Sequence, residues 1–471
     1  MAIPTSQGYH GGVSYLAAHA LLVVTTVTSV VIAIRLLGSR RTAQSTIAWL
    51  LALVFAPFVA IPLYLVLGRR KFPRRAKTSS PVALTSGTSG TDVSLLASGR
   101  TRMLAKSGVA QPRDGNSFEL LATGEAAYAR LLALVRDAKL SIDLTMFIVG
   151  SDGTGDAIID ALAERARVGV AVRVVLDAVG CARSRHRATR VLSDAGAEVR
   201  IFMPLWHSPL RGRSNLRNHR KLAVFDAQRL FAGGMNLAAE YMGPPDDGVV
   251  RWVDVAVVVS GGVAEDATHL FESDWVYCGG ARRQPSAPLP SDAGDERAQV
   301  VPSGPDMTSD TVYDLFLDAI YGARERLSLV TPYYVPDDAL QHALVIAARR
   351  GVRVQVVVPA RSNHFLADVA GRELLRELAA AGVAVRYYPH GMVHAKAMVV
   401  DDSFAYVGSP NFDMRSLFLN YEVALCLYSA GAIDQIRTFI DALAAKGTGA
   451  HPVPRPFWLL EQLASLLAPE L

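Results

Sequence analysis

The feature that most constrains this chain is a plan that it runs through twice. In the first half a strand-like SIDLTMFIV (Ser141 to Val149) leads to a helical IIDALAERA and then to RVGVAVRVVLDA (Arg167 to Ala178). In the second half LSLVTPYYV (Leu327 to Val335) leads to DALQHALVIAA and then to RRGVRVQVVVPA (Arg349 to Ala360). Each unit continues to a further strand, GAEVRIFM from Gly196 and GVAVRYYP from Gly382. Near-continuous Val-rich runs suit parallel strands buried on both faces, and their alternation with helical segments predicts an α/β fold of two similar lobes.

Any α/β chain repeats such units, but here each half also closes on the same polar pattern. The first carries His219-Arg220-Lys221, then Asp226 and Gly233-Gly234-Met235-Asn236; the second carries His394-Ala395-Lys396, then Asp401 and Gly408-Ser409-Pro410-Asn411. In an extended strand a His and a Lys two residues apart point to one face, with the neighbours turned the other way. Histidine can serve as nucleophile or as general acid and base near neutral pH, and lysine supplies positive charge for a phosphate oxygen. The small residues and the Asn that follow, on what should be the adjacent strand, offer backbone approach and an amide donor to the same anion.

If the lobes pack with pseudo-twofold symmetry, the two histidines face each other across one phosphate. Double displacement needs that arrangement, because one group attacks phosphorus and another protonates the leaving alkoxide. Two lysines and two asparagines would neutralise the developing charge. The sequence has no carboxylate or histidine cluster of obvious metal-ligand spacing, so neither a metal nor another cofactor is expected.

The N-terminal end predicts a membrane anchor. Val13 to Ile34 and Thr46 to Leu67 are each 22 residues without a charged side chain, about 33 Å as helix against a hydrocarbon core of roughly 30 Å. The first run lacks the basic start of a signal peptide and a second run follows at once, which favours a two-helix transmembrane hairpin. Pro57 and Pro62 in the second run are tolerable where neighbours satisfy the backbone. Six basic residues follow that run (Arg69, Arg70, Lys71, Arg74, Arg75 and Lys77) against Arg35, Arg40 and Arg41 between the runs. The count puts both ends, and with them the rest of the chain, on the cytoplasmic side of the membrane.

The formal charge of +5 belongs to this end: residues 1–91 hold nine Lys/Arg and no Asp/Glu, which leaves a slightly acidic body. A membrane surface explains that distribution better than nucleic acid does. Cys181, Cys278 and Cys426 lie far apart and read as core thiols, not as a disulfide framework or zinc site. The expected domains are the anchor with its basic flank (1–77), a Ser/Thr/Gly-rich tether (78–112), a first lobe (113–295), and a second lobe with a C-terminal tail (296–471). In that tail LLEQLASLLA reads as a docking helix.

The paired HxKxxxxD and GGxN or GSxN patterns resemble the HKD motifs of the phospholipase D superfamily. LRNHRKLAVFD, AGGMNLAAEY, TPYYVPDDAL, GMVHAKAMVVDD and GSPNFDMRSLFLNYE resemble its bacterial cardiolipin synthase branch, of the A type. The hairpin phrase STIAWLLALVFAPFVAIPLYLVLGRRK and the ending RPFWLLEQLASLLAPEL resemble that branch as well, so the likeness covers nearly the whole chain. It implies two phospholipase D-like lobes and catalytic His219, Lys221, Asp226, His394, Lys396 and Asp401. Within that set the histidines do covalent and acid/base work, the lysines bind phosphate and the aspartates support. It further implies phosphate contacts from Asn236 and Asn411, and a carboxylate that orients each histidine: Asp254 of RWVDVAV for the first half and Glu422 of NYEVAL for the second. Arg415, Ser416, Tyr333 and Tyr334 stand as candidates to line the pocket or to pack the core.

The activity implied is transfer of a phosphatidyl group between phosphatidylglycerol molecules, giving cardiolipin and glycerol. The alternatives are a phospholipase D-type hydrolase, in which water replaces the lipid alcohol, and a catalytically silent membrane scaffold. The membrane runs and acidic body disfavour a nuclease, and two intact motifs disfavour the scaffold.

Overall fold

The computed structural model describes residues 10–38, 43–67, 99–204, 216–245, 247–283 and 294–449, which fall into an N-terminal unit and a much larger body. The basic flank, most of the expected tether and the C-terminal LLEQLASLLA lie outside the described residues.

The N-terminal unit begins with a helix at His10–Leu37, and within it Ala17–Leu37 is long and apolar enough to cross a membrane. The second apolar run differs from the expected single span: it forms two helices, Ala43–Phe55 and Pro57–Leu67. Proline has no amide hydrogen and disfavours helical geometry in the residue before it, so the break falls at Ala56. Ile32 and Leu36 of the first helix pack in one buried cluster with Leu53, Ala60 and Tyr64.

The body is built on one mixed sheet of 14 strands. The first half supplies β1 (Arg113–Leu121), β2 (Ser141–Met146), β3 (Ala171–Asp177), β4 (Glu198–Phe202), β5 (Leu222–Phe225), β6 (Arg229–Gly233) and β7 (Ala256–Ser260). The second supplies β8 (Glu296–Ser303), β9 (Arg326–Val330), β10 (Tyr334–Val335), β11 (Arg353–Pro359), β12 (Ala384–Tyr388), β13 (Ala397–Val400), β14 (Phe404–Gly408), β15 (Phe412–Asp413) and β16 (Glu422–Leu427). Along the sheet the order is β12-β11-β9-β13-β14-β16-β8-β1-β7-β6-β5-β2-β3-β4, with β10 and β15 forming a separate parallel pair. Each half therefore uses its strands in the same sequence outward from the centre, where β1 and β8 pair antiparallel.

The repeated Val-rich units form the parallel parts, β2-β3-β4 and β9-β11-β12. The motif-bearing strands β5, β6, β7 and β13, β14, β16 run antiparallel, which the reading of parallel strands did not anticipate. Alternation shows why these short strands are apolar throughout. Leu222 and Val224 of β5 face one core while Ala223 and Phe225 face another, and Ala397 and Val399 of β13 face that first core while Met398 and Val400 face a third. The shared core holds residues from both halves together with helices Val263–Tyr277 and Ala430–Lys446, so the lobes are joined by a common interior.

Part of the expected tether is ordered: Gly99–Lys106 is a helix in which Leu104 enters the second-half core, and Arg100 bonds Asp318 at 2.6 Å. Cys181 and Cys426 are buried free thiols.

Arg220 fastens the halves. Its guanidinium is fully buried and pairs with Asp274 of the first half and, at 3.0 Å, with Asp306 of the second. It also donates to the carbonyls of Ser303 (3.2 Å) and Glu422 (3.1 Å). Breaking one side of such a pair strands a buried charge, at a cost of about 3–5 kcal/mol. Arg220→Met should therefore lower the stability of the body by about that amount in chemical denaturation, far more than Arg→Met at an exposed position such as Arg353.

Candidate active site

His219 and Lys221 stand just ahead of β5, and His394 and Lys396 just ahead of β13, in segments held extended by pairing with the opposite half. His219 N donates to Tyr421 O at 2.9 Å, and Tyr421 N returns a bond to Arg217 O at 2.9 Å. On the other side His394 N donates to Val253 O at 2.7 Å, and Val253 N to Met392 O at 2.8 Å. Each histidine is thus set against the residue immediately before a carboxylate of the other half.

That register crosses the expected pairs. His219 Nδ1 lies 2.9 and 3.0 Å from the two oxygens of Glu422, and His394 Nδ1 lies 2.6 Å from Asp254. The expected partners, Asp254 for the first half's histidine and Glu422 for the second's, are exchanged by the backbone bridges between the halves. A carboxylate on Nδ1 fixes the neutral ring with its proton there, which leaves Nε2 as the reactive nitrogen.

Both histidines wall one cavity of about 280 Å³, together with Asn236 and Asn411. Phe147 meets the His219 ring edge to face at 4.8 Å, and Tyr241 meets His394 likewise at 4.9 Å. Arg217, Tyr333, His364, Arg415 and Ser416 also line this cavity, whereas Tyr334 does not and sends its hydroxyl to Gln341 at 2.7 Å. Ile148 and Tyr333, which both line the cavity, hold equivalent places in the two halves, each one residue before the position that pairs beyond the motif Asn (Val149 with Leu237, Tyr334 with Phe412), a signal that could have located both. Arg217 and His364 carried no repeat-based signal.

The lysines are fully buried and are not among the cavity-lining side chains. Lys221 Nζ donates to His219 O at 3.0 Å and lies 5.4 Å from the centre of the Phe147 ring. Lys396 Nζ donates to His394 O and stands 2.7 and 2.9 Å from the two ring nitrogens of His394. Asn236 Oδ1 accepts from Ile148 N at 3.2 Å. Asn411 Oδ1 is buried with no hydrogen-bond partner among the described residues.

Asp226 and Asp401 are not brought to the cavity. Seven residues of extended chain, about 23 Å, separate each from its histidine. Asp226 caps the start of β2 by accepting from Lys139, Leu140 and Ser141 N (2.7–3.1 Å), and Asp401 does the same for Arg324, Glu325 and Arg326 N (2.9–3.0 Å). Both adopt positive φ.

The small residues of the GGMN and GSPN motifs make room for the carboxylates. A Cβ on Gly234 would stand 2.2 Å from Asp254 Oδ1. At the equivalent place Ser409 donates its hydroxyl to Glu422 Oε2 at 2.5 Å, and Asn420 Nδ2 adds a bond of 3.3 Å to Oε1.

Burial dominates the electrostatics. It disfavours the charged imidazole, lowering His219 to about 4 against the opposing pull of Glu422, and His394 to about 3 with the Lys396 ammonium adding to the effect. Burial likewise lowers Lys221 to about 7 and Lys396 to about 8. It pushes Glu422 and Asp254 up, but the facing histidines and lysines outweigh it and hold both below the ordinary carboxylate range. The chemistry available is a pair of neutral imidazoles with buried counter-carboxylates around one anion-sized space.

The family model described as cardiolipin synthase, phospholipase D-like domain, matches residues 131–275 and 316–444, and one described as phospholipase D-nuclease N-terminal matches residues 26–69. The chain belongs to the cardiolipin synthase family with phospholipase D-like domains, a family of phosphatidyltransferase enzymes. Among its relatives, cardiolipin synthase A of Pectobacterium atrosepticum is 30% identical over 465 residues, covering 93% of this chain and 96% of the relative. That of Pseudomonas fluorescens is 33% identical over 402 residues, covering 82% and 83%. The fold is similar to the crystal structure of phosphatidylserine synthase from Haemophilus influenzae, with a TM-score of 0.59 and 16% identity over 75% of this chain and 95% of that one.

The crossed pairing has a direct test. With ¹⁵N-labelled histidine, Glu422→Gln should shift the ring resonances of His219 and spare those of His394, and Asp254→Asn should do the reverse. Each should lower turnover by about 10³–10⁴-fold, as loss of an orienting carboxylate does in hydrolytic triads.

Proposed function

We propose that this chain transfers a phosphatidyl group from one phosphatidylglycerol to the terminal hydroxyl of a second, releasing glycerol and forming cardiolipin, through a phosphatidyl-histidine intermediate. The observation that carries this reading is the single cavity walled by two histidines, each with Nδ1 on a buried carboxylate.

In the first step Nε2 of one histidine attacks phosphorus, the bond to the glycerol oxygen breaks, and the other histidine protonates that oxygen. In the second step that histidine takes the proton from the incoming lipid hydroxyl, which attacks phosphorus and expels the first histidine. His219 is assigned the attack. Its hydrogen bonds among the described residues are at Nδ1, whereas Lys396 Nζ stands 2.9 Å from Nε2 of His394. The phosphodiester charge entering the cavity favours protonation of the acid histidine, which burial otherwise opposes. Asn236 and Asn411 are assigned to the phosphate oxygens, Lys221 and Lys396 to the phosphate charge from their buried places on the carbonyls of His219 and His394, and Asp226 and Asp401 to holding β2 and β9 in place against the motif strands.

The two halves are taken as pseudo-twofold related, and the expected domain limits are kept, with residues 99–112 moved from the tether to the body. A second membrane crossing, giving a multi-pass anchor, rests on the backbone at the Pro57 break, and the cytoplasmic placement of the body rests on the count of basic flanking residues. Ala56 N still bonds Ala52 O at 2.9 Å and Ala60 N bonds Ala56 O at 2.8 Å, so the ladder is nearly continuous.

Purified enzyme given labelled phosphatidylglycerol should yield cardiolipin and glycerol in equal amounts; phosphatidic acid as the main product would favour the hydrolase instead. His219→Ala and His394→Ala should each abolish turnover, with the double variant no worse, because groups acting as a unit are non-additive. Exhaustive chelation should leave the rate nearly unchanged. kcat/KM should decline as pH rises through about 7 to 8, where the buried ammonium groups of the free enzyme lose their protons. The decline in kcat should lie at higher pH, since a bound phosphodiester anion favours the charged lysines.

A further inference from the structure

The second half carries a larger cavity beside the catalytic one, of about 570 Å³, a size typical of sites that enclose organic ligands of roughly 300–1,000 Å³. Its walls are largely carbon, from Tyr334, Val358, Pro359, Phe365, Leu375 and Tyr387, with Arg361, Asp368 and Arg372 as the charged residues among them. The two cavities share Asn363 and Ala367, so the entry to helix Phe365–Ala380 forms a common wall. Their other walls run on from one another along the chain: Tyr333 lines the catalytic cavity and Tyr334 the apolar one. Polar groups at the junction are engaged with each other. Asp368 accepts from Ser362 N at 3.0 Å, and Asn363 Oδ1 accepts from the Tyr333 hydroxyl at 2.6 Å.

Phe365 lines the apolar cavity yet remains 62% exposed, and Leu366 beside it is 39% exposed. An apolar volume that opens past exposed apolar side chains, next to a site for a phosphodiester, fits a ligand with a charged end and a hydrocarbon end. In a phospholipid only a few bonds separate the two.

We propose that this cavity receives an acyl chain of the phospholipid whose phosphate is held between His219 and His394. The inference rests on the reading of that site as one for phosphatidyl transfer. It gives the enzyme a means of recognising a diacyl donor through its hydrocarbon, separate from the contacts to phosphate.

The test uses the full-length enzyme with dibutanoyl- and dihexanoyl-phosphatidylglycerol, both kept below the concentration at which they aggregate, following glycerol release. Moving a methylene from water into an apolar site is worth about fourfold in an equilibrium constant. One chain longer by two methylenes should therefore raise kcat/KM about sixteenfold. Filling the cavity with Leu375→Trp, or independently with Val358→Phe, should collapse that ratio toward one, while Val168→Trp on the exposed surface of the first half should preserve it. A ratio near one in the unaltered enzyme, or a ratio that survives both cavity variants, would overturn the acyl site and leave the transfer reading standing. Absence of glycerol release from either lipid would overturn both.

Discussion

Two parallel backbone bridges between the halves govern the rest of the site: Asn218 against Tyr421, and Val393 against Val253, with the next residue in each case, His219 and His394, donating its N–H to Tyr421 O and Val253 O. A peptide bond fixes the next residue's position closely, so setting a histidine beside Tyr421 or Val253 also sets it beside Glu422 or Asp254. The histidine–carboxylate contacts are thereby a consequence of strand register, the most rigid specification a sheet protein has. Neither half could orient its own histidine in this way, which makes the site a property of the joined sheet.

The same seam concentrates charge where water is excluded. Two lysines, two carboxylates and Arg220 with its two aspartates are all buried or nearly so. Ionised groups are tolerated in such surroundings only when paired and hydrogen-bonded. Arg220–Asp306 and both histidine–carboxylate contacts run between the halves, so separating the halves would leave each of these carboxylates without its partner. Rigidity follows from that, and rigid placement of neutral imidazoles is what a phosphate flanked by two histidines requires, since misplacement of reacting atoms by even about 1 Å is costly. The motif glycines serve the same end: Gly234 leaves the space that Asp254 fills, and Gly408 lies so close to β16 that a Cβ would meet Val423 O at 2.4 Å.

Much of this was legible in the sequence because it is periodic or repeated. The βαβ units and the doubled His-x-Lys showed through their spacing, and the family resemblance pointed to Asp254 and Glu422 as the carboxylates beside the histidines. Their crossing was not, because it depends on contacts between residues some 140 and 203 positions apart that leave no local trace. The part played by Arg220 was hidden for a related reason. Lying between His219 and Lys221 it resembles a solvated charge, and only the opposite half's Asp306 and the distant Asp274 explain its complete burial. The aspartates of the motif read as part of the chemistry but occupy the far ends of their strands. The polar run before Gly99 obscured a short helix that packs Leu104 and, less deeply, Met103 on the second-half core, and Pro57 was visible as a risk to the second apolar run without revealing that the helix would divide there.

The central claim is that both halves build one reaction centre in which a single histidine carries the phosphatidyl group. Rapid alkaline quenching during turnover, followed by mass spectrometry of the intact chain and its peptides, measures that directly. At most one phosphatidyl group per chain is expected, always on the same histidine, His219, and none after His219→Ala. Two groups on one chain, or adducts divided between the His219 and His394 peptides, would contradict it.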